Sequence, residues 1–363
     1  MRAPVPVLIP AASWTIVMSC GVVSIDLDTI HQPVLSAIML WFAAAVWLLL
    51  VVVLGAPLAY RRGQFRREVR SPVVLAGVAA TAVLGTRLAI GDHRVAAALL
   101  VVAVIGWVLL VPPVLRHWRT PTTGISFILG VSTDGLALLS ATLAVAFRAG
   151  WLVSAAALLL LLGLTFYGFT VARFDLRQLV SGHGDHWIVG GALAIAALAA
   201  GRLTEAAQAL DQFAPLHQAF TIGTLVLWCL AVAWVLPLAI GEVVRPRLGY
   251  DVRRWATVFP LGMYAACSFA VGRLTGITAL TAIGRTGTWI AFGVTVIVLA
   301  GLIRRIRQTW SLPGATTIPP TAEEPSCPTT TAPPTSDSPA TTPASTSPTS
   351  TSSRSSANRA QRP

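Results

Sequence analysis

Ten apolar runs of about twenty residues, nearly free of charge, recur along this 363-residue chain. A helix of that length crosses the hydrocarbon core of a bilayer. The runs cover about 11–29, 34–58, 72–91, 95–115, 123–146, 149–172, 184–203, 215–240, 254–272 and 286–303. Segments such as Ala156 to Leu162 are apolar on every face. A transmembrane strand would alternate apolar and polar side chains, so each run predicts a helix and excludes a β-barrel. Only 11% of the residues are charged and 55% are hydrophobic, against roughly 25% charged residues in soluble domains. The expected fold class is therefore all-α integral membrane, ten-span, in the cell membrane.

The first run contains Trp14, Met18 and Cys20 without a convincing small-residue cleavage site. It is expected to stay as a span rather than leave as a signal peptide. From about Ser311 onward Pro, Thr and Ser replace the apolar residues, a composition that cannot bury enough surface to fold. Residues 1–305 are thus expected to form the membrane domain and residues 306–363 a disordered tail.

All 26 basic residues are arginine, and their placement sets the orientation. Sixteen flank one side of the spans: Arg61, Arg62, Arg66, Arg67, Arg70, Arg116, Arg119, Arg173, Arg177, Arg245, Arg247, Arg253, Arg254, Arg304, Arg305 and Arg307. Five flank the other, namely Arg94, Arg148, Arg202, Arg273 and Arg285. The positive-inside rule puts the sixteen, both termini and the tail in the cytoplasm. The net charge of +12 then serves topology and contact with anionic headgroups, and needs no nucleic acid.

The spans alternate in content. Even-numbered ones are greasy and carry Trp41, Trp47, Trp107, Trp151, Trp228 and Trp234, which suits a face toward lipid and its interface. Odd-numbered ones gather small and polar residues: Ser19, Gly21 and Ser24, then Thr81, Gly85 and Thr86, then Ser132, Thr133, Asp134 and Gly135, then Gly190 and Gly191. Small residues let helix backbones approach, and polar ones in a bilayer face the protein interior or a water-filled cavity. Five odd helices are therefore expected inside and five even helices outside, as five helical hairpins. A weak repeat agrees, because odd spans three to nine end with Arg87, Arg148, Arg202 and Arg273, spaced 54 to 71 residues apart. Gly-Arg-Leu-Thr occurs twice, at Gly201 to Thr204 and Gly272 to Thr275, and the first pair has Asp26 instead of an arginine.

Two short motifs carry a resemblance. The third span is approached through Arg67-Glu68-Val69-Arg70-Ser71-Pro72, and the ninth opens Trp255-Ala256-Thr257-Val258-Phe259-Pro260-Leu261. Together with the five hairpins these resemble the tellurite-resistance/dicarboxylate transporter family, which includes guard-cell slow anion channels, sulfite exporters and malate transporters. The resemblance covers residues 10–305, and the first span lacks the family's usual proline-glycine opening. It implies a pore along the axis of the odd helices for small anions, a C4-dicarboxylate or an oxyanion such as tellurite or sulfite. It implies a gate at Phe259, with Pro260 bending the helix beside it, and a homotrimer with one pore per protomer.

For Arg87, Arg148, Arg202 and Arg273 two readings stand side by side. They form a positive vestibule that concentrates anions, or they neutralise helix dipoles and bond free carbonyls at helix ends. Asp134 lies near mid-bilayer, where a charge costs about 2.5 kcal/mol or more unless compensated. Pairing with an arginine such as Arg87, or protonation coupled to transport, would each relieve it. His183 and His186 have a metal-like spacing without a third ligand, so a polar loop with Asp185 as helix N-cap is expected instead, and no metal or cofactor. Cys20, Cys229, Cys267 and Cys327 match no paired metal spacing. A membrane enzyme acting on a lipid-linked substrate would need clustered carboxylates, a metal helix or an activated nucleophile, and a proton-coupled exporter of another solute is the remaining alternative.

Overall fold

The computed structural model describes residues 13–60, 71–181, 184–244 and 251–311. Ten long helices account for most of it: α1 (Trp14–Thr29), α2 (Pro33–Tyr60), α3 (Ala76–Leu88), α4 (His93–Arg116), α5 (Ile128–Phe147), α6 (Gly150–Val171), α7 (Ile188–Ala209), α8 (His217–Val244), α9 (Trp255–Thr275) and α10 (Thr278–Ser311). Eight are long and apolar enough to cross a membrane. The described parts of the first and third are shorter, 16 residues in α1 and 13 in α3 after a four-residue 3-10 turn at Pro72–Leu75.

Each odd helix is joined to the next even one by a turn of two to seven residues, and the two pack as a hairpin. The odd helices also pack on one another in a closed cycle: α1 on α3, α3 on α5, α5 on α7, α7 on α9, and α9 on α1. Each even helix touches its own odd partner and the next odd helix along. Burial follows this arrangement. The central apolar stretches of α5, α7 and α9 are 89%, 94% and 89% buried, and those of the five even helices only 17 to 33%.

Glycines make the inner contacts close. A Cβ at Gly21 of α1 would lie 3.0 Å from Val83 Cγ1 of α3, and one at Gly135 of α5 would lie 3.3 Å from Ala82 Cβ of α3. A Cβ at Gly191 of α7 would lie 2.7 Å from Pro260 Cγ of α9, and one at Gly262 of α9 would lie 2.6 Å from Val22 Cγ1 of α1. With little hydrophobic drive between helices in lipid, such backbone proximity supplies van der Waals contact.

Helices α3, α5, α7 and α9 start through short 3-10 turns, three of them capped by side chains: Ser71 accepts from Val73 N, Thr123 forms a reciprocal box with Ser126, and Asp251 accepts from Arg253 N. Before α7 the cap position is Gly184, at φ 109°, and not Asp185, which occupies the first turn. That positive φ is costly for any residue with a Cβ, while Asp185 one place later still meets the positive end of the helix dipole.

Three boundaries differ from expectation. Helix α10 begins at Thr278, eight residues earlier than the apolar run, because Gly284 and Gly287 let it pack on α9: Cβ atoms there would meet Phe269 at 2.9 Å and Ala265 at 3.2 Å. Arg285 is consequently a helix residue and not part of a loop. The same helix runs to Ser311 and takes in residues assigned to the tail. Helix α7 continues to Ala209, which puts Arg202 inside the helix. The tail beyond 311, the arginines between 61 and 70, Glu68, Arg245, Arg247, His183 and Cys327 lie outside the described residues.

Candidate functional site

Phe259 is buried, with 1% exposure, in the second turn of α9. Pro260 follows it inside the helix, where its ring removes one backbone donor and crowds the carbonyl four residues earlier. The segment is held from two sides. Ser19 of α1 donates its hydroxyl to the Trp255 carbonyl at 2.9 Å, and Gly191 of α7 receives the Pro260 ring.

The arginines do not assemble into one cluster. Arg87 is the most enclosed, with its side chain 11% exposed, and pairs with Asp28 at 2.9 Å. Its Nε donates to Ser24 Oγ at 3.0 Å and its second guanidinium nitrogen to Ser36 Oγ at 2.9 Å. Ser24 and Ser36 also bond each other's backbone carbonyls, at 2.8 and 2.7 Å, which ties α1 to α2. Arg202 and Arg273 do meet, through Glu205: Arg202 reaches one carboxylate oxygen at 2.8 Å and Arg273 the other at 3.1 Å. Arg148 stands apart, exposed, in the left-handed conformation that ends α5. None of these four guanidinium groups bonds a helix-end carbonyl among the described residues.

Asp134 is fully buried, but not beside Arg87, whose guanidinium is committed to Asp28 across α1 and α3. Its carboxylate faces the backbone of α6 at Gly163, the one residue there without a side chain to displace it. Neither carboxylate oxygen has a hydrogen-bond partner among the described residues, and the same holds for Asp26 of α1. Asp26 lies against α9 at Gly262, whose Cβ would be 3.4 Å from Oδ2. Isolated acids of this kind in a dry interior are rare and mark functional positions more often than structural ones.

Several contributors were not singled out from sequence. Glu205 sits three residues after Arg202, a spacing that places both on one helix face, and that signal was available. Asp28 closes the first span and is 59 residues from Arg87, so nothing local points to it. The tryptophans divide. Trp41 and Trp151 are 70% and 71% exposed, as lipid-facing residues should be. Trp47, Trp107 and Trp228 instead turn inward, each donating its indole N–H to a hydroxyl on the following odd helix: Thr81 at 2.9 Å, Thr133 at 3.0 Å and Ser268 at 2.9 Å.

The chain matches the model of the voltage-dependent anion channel family over residues 9–303. It belongs to that family. The match takes in all ten helices up to the last turns of α10. Two curated relatives are also similar, both described as uncharacterized membrane proteins of Mycobacterium tuberculosis, from strains CDC 1551 / Oshkosh and ATCC 25618 / H37Rv. Each is 26% identical over 130 residues, which cover 34% of this chain and 65% of the relative. The chain is thus a multi-pass membrane protein of an anion-channel family.

Proposed function

We propose that this chain passes small anions, a C4-dicarboxylate or an oxyanion such as sulfite or tellurite, along the axis enclosed by α1, α3, α5, α7 and α9. Phe259 is the gate, and the even helices form an outer ring against lipid. The observation that carries this reading is the closed cycle of odd-helix contacts with Phe259 buried in a segment clamped by both neighbours. A bulky ring in a dry throat blocks an anion until it swings aside, and Pro260 leaves the helix one bond short beside it.

The arginines enter this reading unequally. Asp28 offsets Arg87, and Glu205 offsets one of the pair Arg202 and Arg273, so the vestibule they form carries a modest positive field. Both termini and residues 306–363 lie on the cytoplasmic side of the cell membrane in this reading, and three copies associate with a pore in each. The unpartnered carboxyls of Asp26 and Asp134 support a second mode, in which anion passage is coupled to protons.

The test is flux of malate, sulfite, tellurite, nitrate and chloride into proteoliposomes, with and without a proton gradient, for wild type and Phe259→Ala. The variant is expected to raise flux of the preferred anion by roughly tenfold, the factor carried by about 1.4 kcal/mol of barrier. If no anion moves in either form, the transport reading fails. Equal flux in both forms removes the gate and leaves the pathway. A dependence on the gradient separates the proton-coupled mode from a simple channel.

A further inference from the structure

A groove of 450 Å³ opens where α1 ends and α9 turns into α10, lined by Thr29, Ile30, Phe269, Arg273, Thr281 and Arg285. Two arginines from different helices therefore share one recess. Arg273 spends its Nε on Glu205 at 3.1 Å, and its two terminal nitrogens have no partner among the described residues. Arg285 is exposed and forms no ion pair or hydrogen bond among the described residues. The two hydroxyls give their protons to their own helices, Thr29 to the Ile25 carbonyl at 2.9 Å and Thr281 to the Thr278 carbonyl at 2.7 Å. Whatever fills the recess is met by guanidinium donors, and so is an acceptor with negative charge.

The surroundings of Arg285 identify the kind of anion. It lies seven residues into α10, about 10 Å along the axis, on a helix whose central stretch is only 22% buried. Its exposed apolar neighbours on the same helix face are Trp289 and Val296, four and eleven residues on, at 45% and 47% exposure. These apolar side chains form a face for acyl chains, and a tryptophan one turn deeper is the usual marker of the headgroup level. A small soluble anion would leave Trp289, Val296 and the Phe269 wall unused, whereas an amphiphile engages them.

We propose that this groove binds the phosphate of an anionic phospholipid, with Arg285 and Arg273 on the headgroup and the α10 face along its chains. The site shares Arg273 with the proposed vestibule, but it stands or falls independently of transport because none of the readouts below measures flux.

The test uses the full chain purified in detergent, with native mass spectrometry counting retained phosphatidylglycerol against phosphatidylcholine. Wild type is expected to prefer phosphatidylglycerol. Arg285→Gln should weaken that preference about fivefold, the effect of one basic residue at an anionic surface, and the double variant with Arg273→Gln should weaken it further. Arg94→Gln, an exposed arginine at the start of α4 and outside the groove, should leave it unchanged. An equal loss in Arg94→Gln would mean diffuse attraction and overturn the site, as would full retention in Arg285→Gln. Millimolar inorganic phosphate should not displace the lipid, and displacement would assign the groove to a soluble anion and overturn the lipid source.

Discussion

The inner and outer helices of this molecule invert the rule of soluble proteins. The buried helices α5, α7 and α9 are the less apolar ones, rich in Gly, Ala, Ser and Thr, and the exposed even helices carry the long runs of Leu, Val and Ile. Both sets are equally helical, so the difference lies in what surrounds them. Where lipid is the solvent, greasy side chains gain nothing by leaving the surface. What the interior selects for is close backbone approach and a partner for each polar group. The two sets should accordingly respond in opposite ways to the same substitution.

Glycine provides the sharpest contrast. Gly124, at the start of α5, lies against the backbone joining Asp185 and His186 at the start of α7; a Cβ there would sit 2.7 Å from His186 N. Main chain on both sides cannot rotate away. Gly124→Ala is expected to cost about 3 kcal/mol, the upper range for overpacking, read as a lower unfolding midpoint in detergent. Gly223 on α8 and Gly168 on α6 have nothing within 4 Å of an added Cβ. The same change there should stay within about 0.5 kcal/mol. Comparable losses at Gly124 and Gly223 would remove the distinction between inner and outer helices.

How much of this was legible in the sequence depends on the range of the interaction. Ten helices follow from hydropathy alone, and the burial of α5, α7 and α9 against the exposure of the even helices follows from their small-residue content, because both are properties of a single segment. The start of α10 was not legible, since Thr278 to Gly287 reads as a polar linker until the glycines are seen to face Phe269 and Ala265 across the hairpin. Nor was the neighbour of Asp134. Its depth follows from its position in the helix, but facing Gly163 and not Arg87 depends on how α6 packs on α5. The partners of Arg87 depend on three helices meeting, and the inward turn of Trp107 on a hydroxyl 26 residues away.

Charge gives the next contrast, between two arginines that end successive odd helices. Arg87 makes an ion pair and two serine contacts in a nearly closed site, and Arg148 is exposed with no partner among the described residues. Arg87→Gln leaves Asp28 without its cation and strips donors from both serines, so it is expected to cost about 2 kcal/mol, between the values for exposed and buried pairs. Arg148→Gln should be neutral within about 0.5 kcal/mol. Restoring stability to Arg87→Gln by adding Asp28→Asn would identify the ion pair, rather than lost packing, as the cause. A double variant no more stable than the single one would place the loss in packing.

The smallest contrast lies within the outer helices themselves. Trp107 and Trp151 belong to even helices, but one donates to Thr133 and the other faces lipid. Replacing indole by phenyl keeps most of the apolar area and removes the N–H. At Trp107 this strands the Thr133 hydroxyl, which already gives its own proton to the Leu129 carbonyl and keeps only its capacity to accept. Trp107→Phe should therefore cost about 1 kcal/mol, the net value of one hydrogen bond, and Thr133→Val should remove most of that difference in a double-mutant cycle. Trp151→Phe has no such partner and should fall below about 0.5 kcal/mol. A cycle showing no coupling between Trp107 and Thr133 would mean that the even helices are held to the inner ones by packing alone.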